Sequence, residues 1–224
     1  MFESLNLSDL PKTNYGVLRN PSNTRPVIWL VEEDGVYAVV KDFSANKPLF
    51  RNTVGRFLVW RESRAYKRLK DVDGVPSFYR VIDGVALVIQ KIHGKSMENL
   101  EKEMILPESF FDRLKDLVER CHKQGIAHCD LKRAPNTILG DDGYPYIIDW
   151  GASVSKRECR FPPLNLVYKR FLLDDYMAVI KLKMRHIPSS VTPAERARYH
   201  RRGRTENALR VVRDKLREIF KDIM

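Results

Sequence analysis

Three oxygen-bearing side chains, Asp130, Asn136 and Asp149, gather around one short hairpin signal. Thr137 to Leu139 reads as a strand, Gly140-Asp141-Asp142-Gly143 as a turn, and Tyr144 to Ile148 as the returning strand. Asn136 immediately precedes the first strand and Asp149 immediately follows the second. Pairing the strands therefore brings a carboxamide oxygen and a carboxylate together at the open end. Hard oxygen ligands this close suit Mg²⁺, above all where phosphate supplies the remaining ligands. Asp130 stands six residues before Asn136, in His128-Cys129-Asp130-Leu131-Lys132. A carboxylate there can accept the proton of an attacking hydroxyl, and Lys132 can neutralise a transferring phosphoryl group. Singly, Asn136 is a turn former and Asp149 a helix cap. Their placement on either side of one hairpin, just after Asp130, is what reads as a site.

The elements that must hold these residues follow from periodicity. Val27 to Val31 and Val36 to Phe43 are strands joined by Glu33-Asp34-Gly35. In the second strand Tyr37, Val39 and Lys41 share one face, and Val36, Ala38 and Val40 the other. A helix is predicted from about Thr53 to Lys70, ended by Asp73-Gly74 and Pro76. Leu58, Glu62, Ala65 and Leu69 lie on one of its faces, so a carboxylate points inward among apolar residues. Buried without a cation it would cost several kcal/mol. Strands near Phe78 to Ile82 and Val85 to Gln90 come next, then a connector containing Gly94.

The second half reads mostly as helix. Pro107 opens one with Phe110, Leu114, Leu117, Val118 and Cys121 at helical spacing, closed by Gly125. Thr192-Pro193-Ala194-Glu195 is a capping box. A last helix carries Leu209, Val212, Leu216, Ile219 and Phe220 on one stripe. Strands, then helices, with one hairpin between, predict an α+β fold in two lobes.

Bulk composition narrows the function classes. The 224 residues hold 43% hydrophobic and 31% charged residues, an ordinary globular balance. No run approaches a membrane span, the start lacks a secretory pattern, and three cysteines without a C-x-x-C pair suit a reducing cytoplasm. Forty basic against twenty-nine acidic residues give +11, which points to an anionic partner. The excess is uneven: +8 over 181–224 and +6 over 51–70. Arg210, Arg213, Arg217 and Lys221 stripe the last helix, as a solvated face or as a contact for anionic lipid. Aromatics do not interleave with those charges, which disfavours nucleic acid.

The residues also carry a resemblance. HCDLKRAPN followed by IIDWG resembles the catalytic loop and metal-binding segment of protein-kinase-like enzymes. YAVVK resembles the strand of the nucleotide-binding lysine, WRESRAYKRL the helix of its glutamate partner, and VIQKIHG the hinge between lobes. The order and spacing match from about residue 27 to 180, most closely those of the RIO-type and bacterial lipopolysaccharide-core kinases. The resemblance implies ATP and Mg²⁺ as cofactors. Lys41 would contact the α- and β-phosphates, held by Glu62, and backbone groups near Gln90 and Ile92 would bind adenine. Asp130 would act as base, Asn136 and Asp149 would hold the metal, and His128 would brace the metal segment. Asp174 or Asp175 would anchor the catalytic loop from below.

Departures from the family pattern shape the expected function. No G-x-G-x-x-G precedes Val27; YGVLRNPSNTRP stands there, with Ser22, Asn23 and Thr24 as candidate phosphate donors. Asp130 to Asn136 is one residue longer than usual, Cys129 replaces an arginine, and Trp150 replaces a phenylalanine. No A-P-E follows Gly151, and seventy-three residues remain after it. The expectation is one kinase-like domain over 1–224, with an N-lobe of antiparallel sheet and one helix to about 91. A hinge would span about 90–95, with a reduced, mostly helical C-lobe over about 96–224. Its activity would be of the serine/threonine protein-kinase type, in the cytoplasm or peripheral on the inner face of the membrane. The alternatives are a kinase for lipopolysaccharide core sugars and a nucleotide-binding pseudokinase scaffold.

Overall fold

The computed structural model describes residues 1–11, 16–100 and 103–200. The expected last helix and its basic stripe lie outside them, as does Tyr15. The first half forms an antiparallel five-stranded sheet. Its spatial order is β1 (Gly16–Arg19), β2 (Val27–Glu33), β3 (Val36–Asp42), β5 (Ala86–Gln90) and β4 (Phe78–Ile82). Asp34 and Gly35, at φ 52° and 78°, supply the left-handed turn whose twist matches the β2–β3 hairpin.

The alternation along β3 sorts two cores. Ala38 and Val40 join Val31, Ile82 and Val88 beneath Phe2, Leu5 and Leu10. The first eleven residues thus cover a face for which the sequence suggested no partner. Toward the other face, Val39, Leu87 and Ile89 pack with Val59, Tyr66 and Leu69 of the following helix.

That helix begins before Thr53. α1 (Pro48–Phe50), a π-helical turn (Arg51–Gly55) and α2 (Arg56–Arg68) run on without leaving right-handed helical geometry. Proline fits the first helical position, where its missing N–H is not needed. Gly55 lets the turn press on the sheet, since an added Cβ would sit 3.2 Å from the Cβ of Phe43. Glu62, Ala65 and Leu69 are buried and Leu58 partly so, the inward face the spacing predicted.

The hairpin of the sequence is β8 (Thr137–Gly140) with β9 (Pro145–Ile147), Thr137 opposite Ile147. The expected connector at Gly94 is itself a strand, β6 (Gly94–Ser96), added to β8. Only glycine permits this approach: Gly94 has φ 147°, and a Cβ there would lie 2.1 Å from the Leu139 carbonyl oxygen. Around this small sheet stand α3 (Met97–Leu100) and α4 (Glu108–Lys123). The α4 residues Phe110, Leu114, Leu117, Val118 and Cys121 are all buried. The short strand β7 (Ile126–Ala127) pairs with β10 (Val154–Ser155).

α5 (Leu164–His186) and α6 (Pro193–His200) complete the described chain. The capping box forms: Thr192 N donates to Glu195 Oε2 at 2.8 Å, and Glu195 N to Thr192 Oγ1 at 3.1 Å. Among the described residues no helix is long and apolar enough to cross a membrane.

Candidate active site

The sheet and α2 meet at a cation shared by two carboxylates. Lys41, next to last on β3, extends beneath α2 and places its Nζ 2.6 Å from Glu62 Oε1 and 2.8 Å from Asp149 Oδ1. The Glu62 side chain is 7% exposed and that of Asp149 44%. Burial disfavours the Lys41 charge, but the two carboxylates outweigh it and hold the ammonium firmly protonated. Asp149 is drawn below the usual carboxylate range, first by Lys41. Glu62 is pushed above it by burial, against the pull of Lys41. The inward carboxylate of α2 thus has the cation its surroundings require.

Asp149 stands just after the hairpin in left-handed geometry, φ 65° and ψ 64°. Its neighbours fix that geometry. The Trp150 indole donates to the Ile147 carbonyl at 3.1 Å from a fully buried position, where the larger ring gains a hydrogen bond that phenylalanine cannot make. The His128 ring packs on Trp150 at 4.7 Å, and its Nε2 lies 2.9 Å from the Ile148 carbonyl oxygen. Its Nδ1 accepts from Asp130 N at 3.3 Å, so those partners assign the ring proton to Nε2. His128 ties the segment before Asp149 to the loop bearing Asp130, as a brace.

The loop closes through Asn136. Asn136 Nδ2 donates to the Asp130 carbonyl at 3.0 Å, and Ile148 N donates to the Asn136 carbonyl at 2.9 Å. The extra residue between Asp130 and Asn136 is absorbed by a 3₁₀ turn, Ala134–Asn136. With Nδ2 committed to a carbonyl, the amide oxygen is left as an acceptor. Asn136 Oδ1 and the ionised, half-exposed Asp149 form a hard-oxygen pair of the kind Mg²⁺ takes when phosphates and water complete its shell. Among the described residues no three His, Cys, Asp or Glu side chains cluster as a metal site. A zinc-type centre therefore has no ligands among them.

Beneath the loop, the structure separates Asp175 from Asp174, between which the sequence does not choose. Asp175 is buried and accepts from His128 N at 2.7 Å and Cys129 N at 3.0 Å, with His122 Nε2 at 3.0 Å. Asp174 instead pairs with Arg170 one turn away, at 3.1 Å. His122 belongs to this anchor. Cys129 sits between the anchor and Asp130 at φ 67°, and burial pushes its thiol upward.

Gln90 and Ile92 lie where β5 leaves the sheet. Gln90 N donates to the Ser77 carbonyl at 2.8 Å and Lys91 N to that of Tyr37 at 3.1 Å. The Gln90 N–H is thus taken up by the neighbouring strand end. Lys132 is exposed on an open groove of about 830 Å³, lined also by Glu98, Arg133 and Arg185.

The turn before Val27, which carries no glycine-rich motif, is held by a buried amide. The buried Asn46 donates through Nδ2 to the Ser22 and Arg25 carbonyls at 2.8 and 3.2 Å, pinning the turn between β1 and β2. Ser22, Asn23 and Thr24 are exposed on that turn. Arg19, on β1, and Arg133 lie near enough to Asp149 to feel its charge. Neither arginine carries a signal in the sequence, because only the folded sheet brings residue 19 to the hairpin end.

A family model described as the RIO domain matches residues 38–196. Among curated proteins no sequence matches the chain. Crystal structures of the Rio2 kinase from Chaetomium thermophilum share its fold. A complex with ADP, Mg²⁺ and phosphoaspartate gives a TM-score of 0.57 at 17% identity, covering 91% of this chain and 68% of that one. A second structure of that kinase gives 0.59 at 16%, covering 91% and 70%. At such identities the likeness is one of fold, and it agrees with the α+β arrangement read from the sequence.

Proposed function

The chain belongs to the RIO-domain family, within the protein-kinase-like superfamily, and from that premise we propose that it transfers the γ-phosphate of ATP to an acceptor hydroxyl. The observation that carries this reading is the placement of Lys41 between Glu62 and Asp149, beside the loop that closes Asp130 onto Asn136. In this reading Lys41 binds the α- and β-phosphates and Glu62 keeps its ammonium in place. Backbone groups near Gln90 and Ile92 bind adenine. Asn136 and Asp149 hold Mg²⁺, which when bound neutralises phosphate charge. Asp130 orients the acceptor hydroxyl and takes its proton, while Lys132 offsets charge on the group in transfer. Arg19 and Arg133 add positive charge at the same mouth, where a glycine-rich loop would otherwise supply backbone donors. The hinge of this single domain falls at about 90–95.

For the acceptor, Lys132 two residues after Asp130 favours a serine or threonine hydroxyl of a protein. A second reading, an anionic sugar or lipid core, has its own support. Only residues 156–163 separate β10 from α5, which leaves little chain for a peptide platform. Lys132, Arg133 and Arg185 outnumber Glu98 and Glu103 along the groove beside the loop. The test is transfer from γ-labelled ATP with Mg²⁺ by the intact protein and by Asp130→Ala, scanning protein, lipid and sugar fractions. Label in one fraction, lost in the variant, establishes the activity and its acceptor class. Nucleotide binding without label in any fraction would replace this reading with a scaffold.

A further inference from the structure

The outer face of the helical run Pro48–Arg68 plays no part in the proposed chemistry, and its composition is unusual. From Lys47 to Lys70 the chain has eight Lys or Arg and one acid, Glu62, which is buried against Lys41. Among these charges stand large apolar side chains in the open: Leu49 is 78% exposed, Phe57 50% and Trp60 48%. Thr53 Oγ1 donates to the Leu49 carbonyl one turn back, and Phe57 and Trp60 come four and seven residues after Thr53. The three apolar residues therefore share one stripe. The Phe57 and Trp60 rings lie 5.8 Å apart, with Arg61 over the first at 5.9 Å and Arg64 over the second at 4.7 Å.

Charge selects the occupant. A second copy would set this basic face against itself. The stretch 201–224 has eight basic and four acidic residues, so it too is repelled. The partner must be anionic and must also take up aliphatic surface. Stacked bases would leave Leu49, the most exposed of the three, without a partner, since it has no π-face. A lipid surface meets both demands.

We propose that this face docks the protein on an anionic membrane surface. Leu49, Phe57 and Trp60 enter the acyl boundary, while Arg64 and Lys67 meet headgroup phosphates. Glu62 leaves the opposite side of the same helix, so the contact also holds the element that positions Lys41. The proposal stands on this geometry and does not rest on the phosphotransfer reading.

The test uses the full chain with vesicles of phosphatidylcholine alone or with about 30 mol % phosphatidylglycerol, read by sedimentation and tryptophan emission. Anionic vesicles are expected to bind at least about tenfold more tightly than neutral ones, with a blue shift that Trp60→Phe abolishes while binding persists. Arg64→Ala with Lys67→Ala is expected to weaken binding about thirtyfold. Phe57→Ser with Trp60→Ser is expected to weaken it at least about tenfold. An unchanged urea midpoint verifies each fold, and Leu49→Ser serves if the serine pair unfolds. No binding, equal binding to neutral vesicles, or binding that survives both pairs of changes would overturn the proposal. A preference for single-stranded RNA that the same changes abolish would also overturn it.

Discussion

Replacing Lys41 by methionine separates the two carboxylates by their exposure. Lys41 bridges Glu62 at 2.6 Å and Asp149 at 2.8 Å, but the Glu62 side chain is 7% exposed and that of Asp149 44%. Without the ammonium, water can solvate Asp149 but hardly Glu62, so the penalty falls on Glu62. Breaking a buried pair costs about 3–5 kcal/mol. Because Glu62 can take up a proton, the lower end applies. At about 3 kcal/mol, a chain of this size loses roughly 6–12 °C in Tm. Adding Glu62→Gln to Lys41→Met removes the stranded charge at nearly constant volume and should recover about 2 kcal/mol. Adding Asp149→Asn should recover less than about 0.5 kcal/mol, because solvent already screens that group. In Lys41→Met the folded-state pKa of Glu62 lies above its unfolded value of about 4.3. The native state then binds the extra proton, so the loss is full at neutral pH and fades as pH falls toward that value. Urea unfolding of the four proteins against pH measures all of this. Greater rescue by Asp149→Asn than by Glu62→Gln, or a loss that grows on acidification, would refute the reasoning.

The same geometry carries four further outcomes. Asp130→Asn should lower turnover by about 10²–10⁴ while ATP affinity by nucleotide titration stays within about twofold, since the residue acts on the acceptor. Asp175→Ala strands the N–H groups of His128 and Cys129, and chemical denaturation should show a loss of about 3 kcal/mol or more. The neighbouring Asp174→Ala should cost less than about 1 kcal/mol, its pair with Arg170 being at the surface. Burial pushes the Cys121 thiol up to about 12 and the Cys129 thiol upward as well. Near neutral pH both are therefore thiols in the native protein, and iodoacetamide should label them only after unfolding, as read by mass spectrometry.

The parts of the fold that were legible in the sequence are those where one local pattern dictates one outcome. The hairpin after Asn136 announced itself by apolar runs around Gly140-Asp141-Asp142-Gly143, and the inward carboxylate of α2 by its spacing from Leu58, Ala65 and Leu69. The illegible parts depend on distant partners. Phe2, Leu5 and Leu10 show no strand or helix period, yet they cover one face of the sheet because Ala38, Val40 and Val88 leave it apolar. β6 was hidden because Gly94 gives no strand signal. It pairs only because its missing side chain admits Leu139. Arg19 is near Asp149 only through the sheet order, and Asp175 could be told from Asp174 only once α5 was seen to turn it under His128 and Cys129.

The spacing from Asp130 to Asn136 shows why counting residues can mislead about a site. One extra residue in a free loop would move Asn136 by roughly the 3.8 Å between consecutive Cα atoms, enough to break a shared metal site. Here Asn136 is placed mainly by the hairpin on its C-terminal side. Its carbonyl is gripped by Ile148 N, and Thr137 is in register with Ile147, so β8 and β9 set its position relative to Asp149. Asp130 is placed independently, through Asp175 under Cys129 and the His128 ring beside it. The residues between only have to close the gap, and a 3₁₀ turn containing Pro135, with Asn136 Nδ2 on the Asp130 carbonyl, does so. Loop length between two such anchors is free to vary by a residue, whereas a change that slips the β8–β9 register would move Asn136 and Asp149 apart at once.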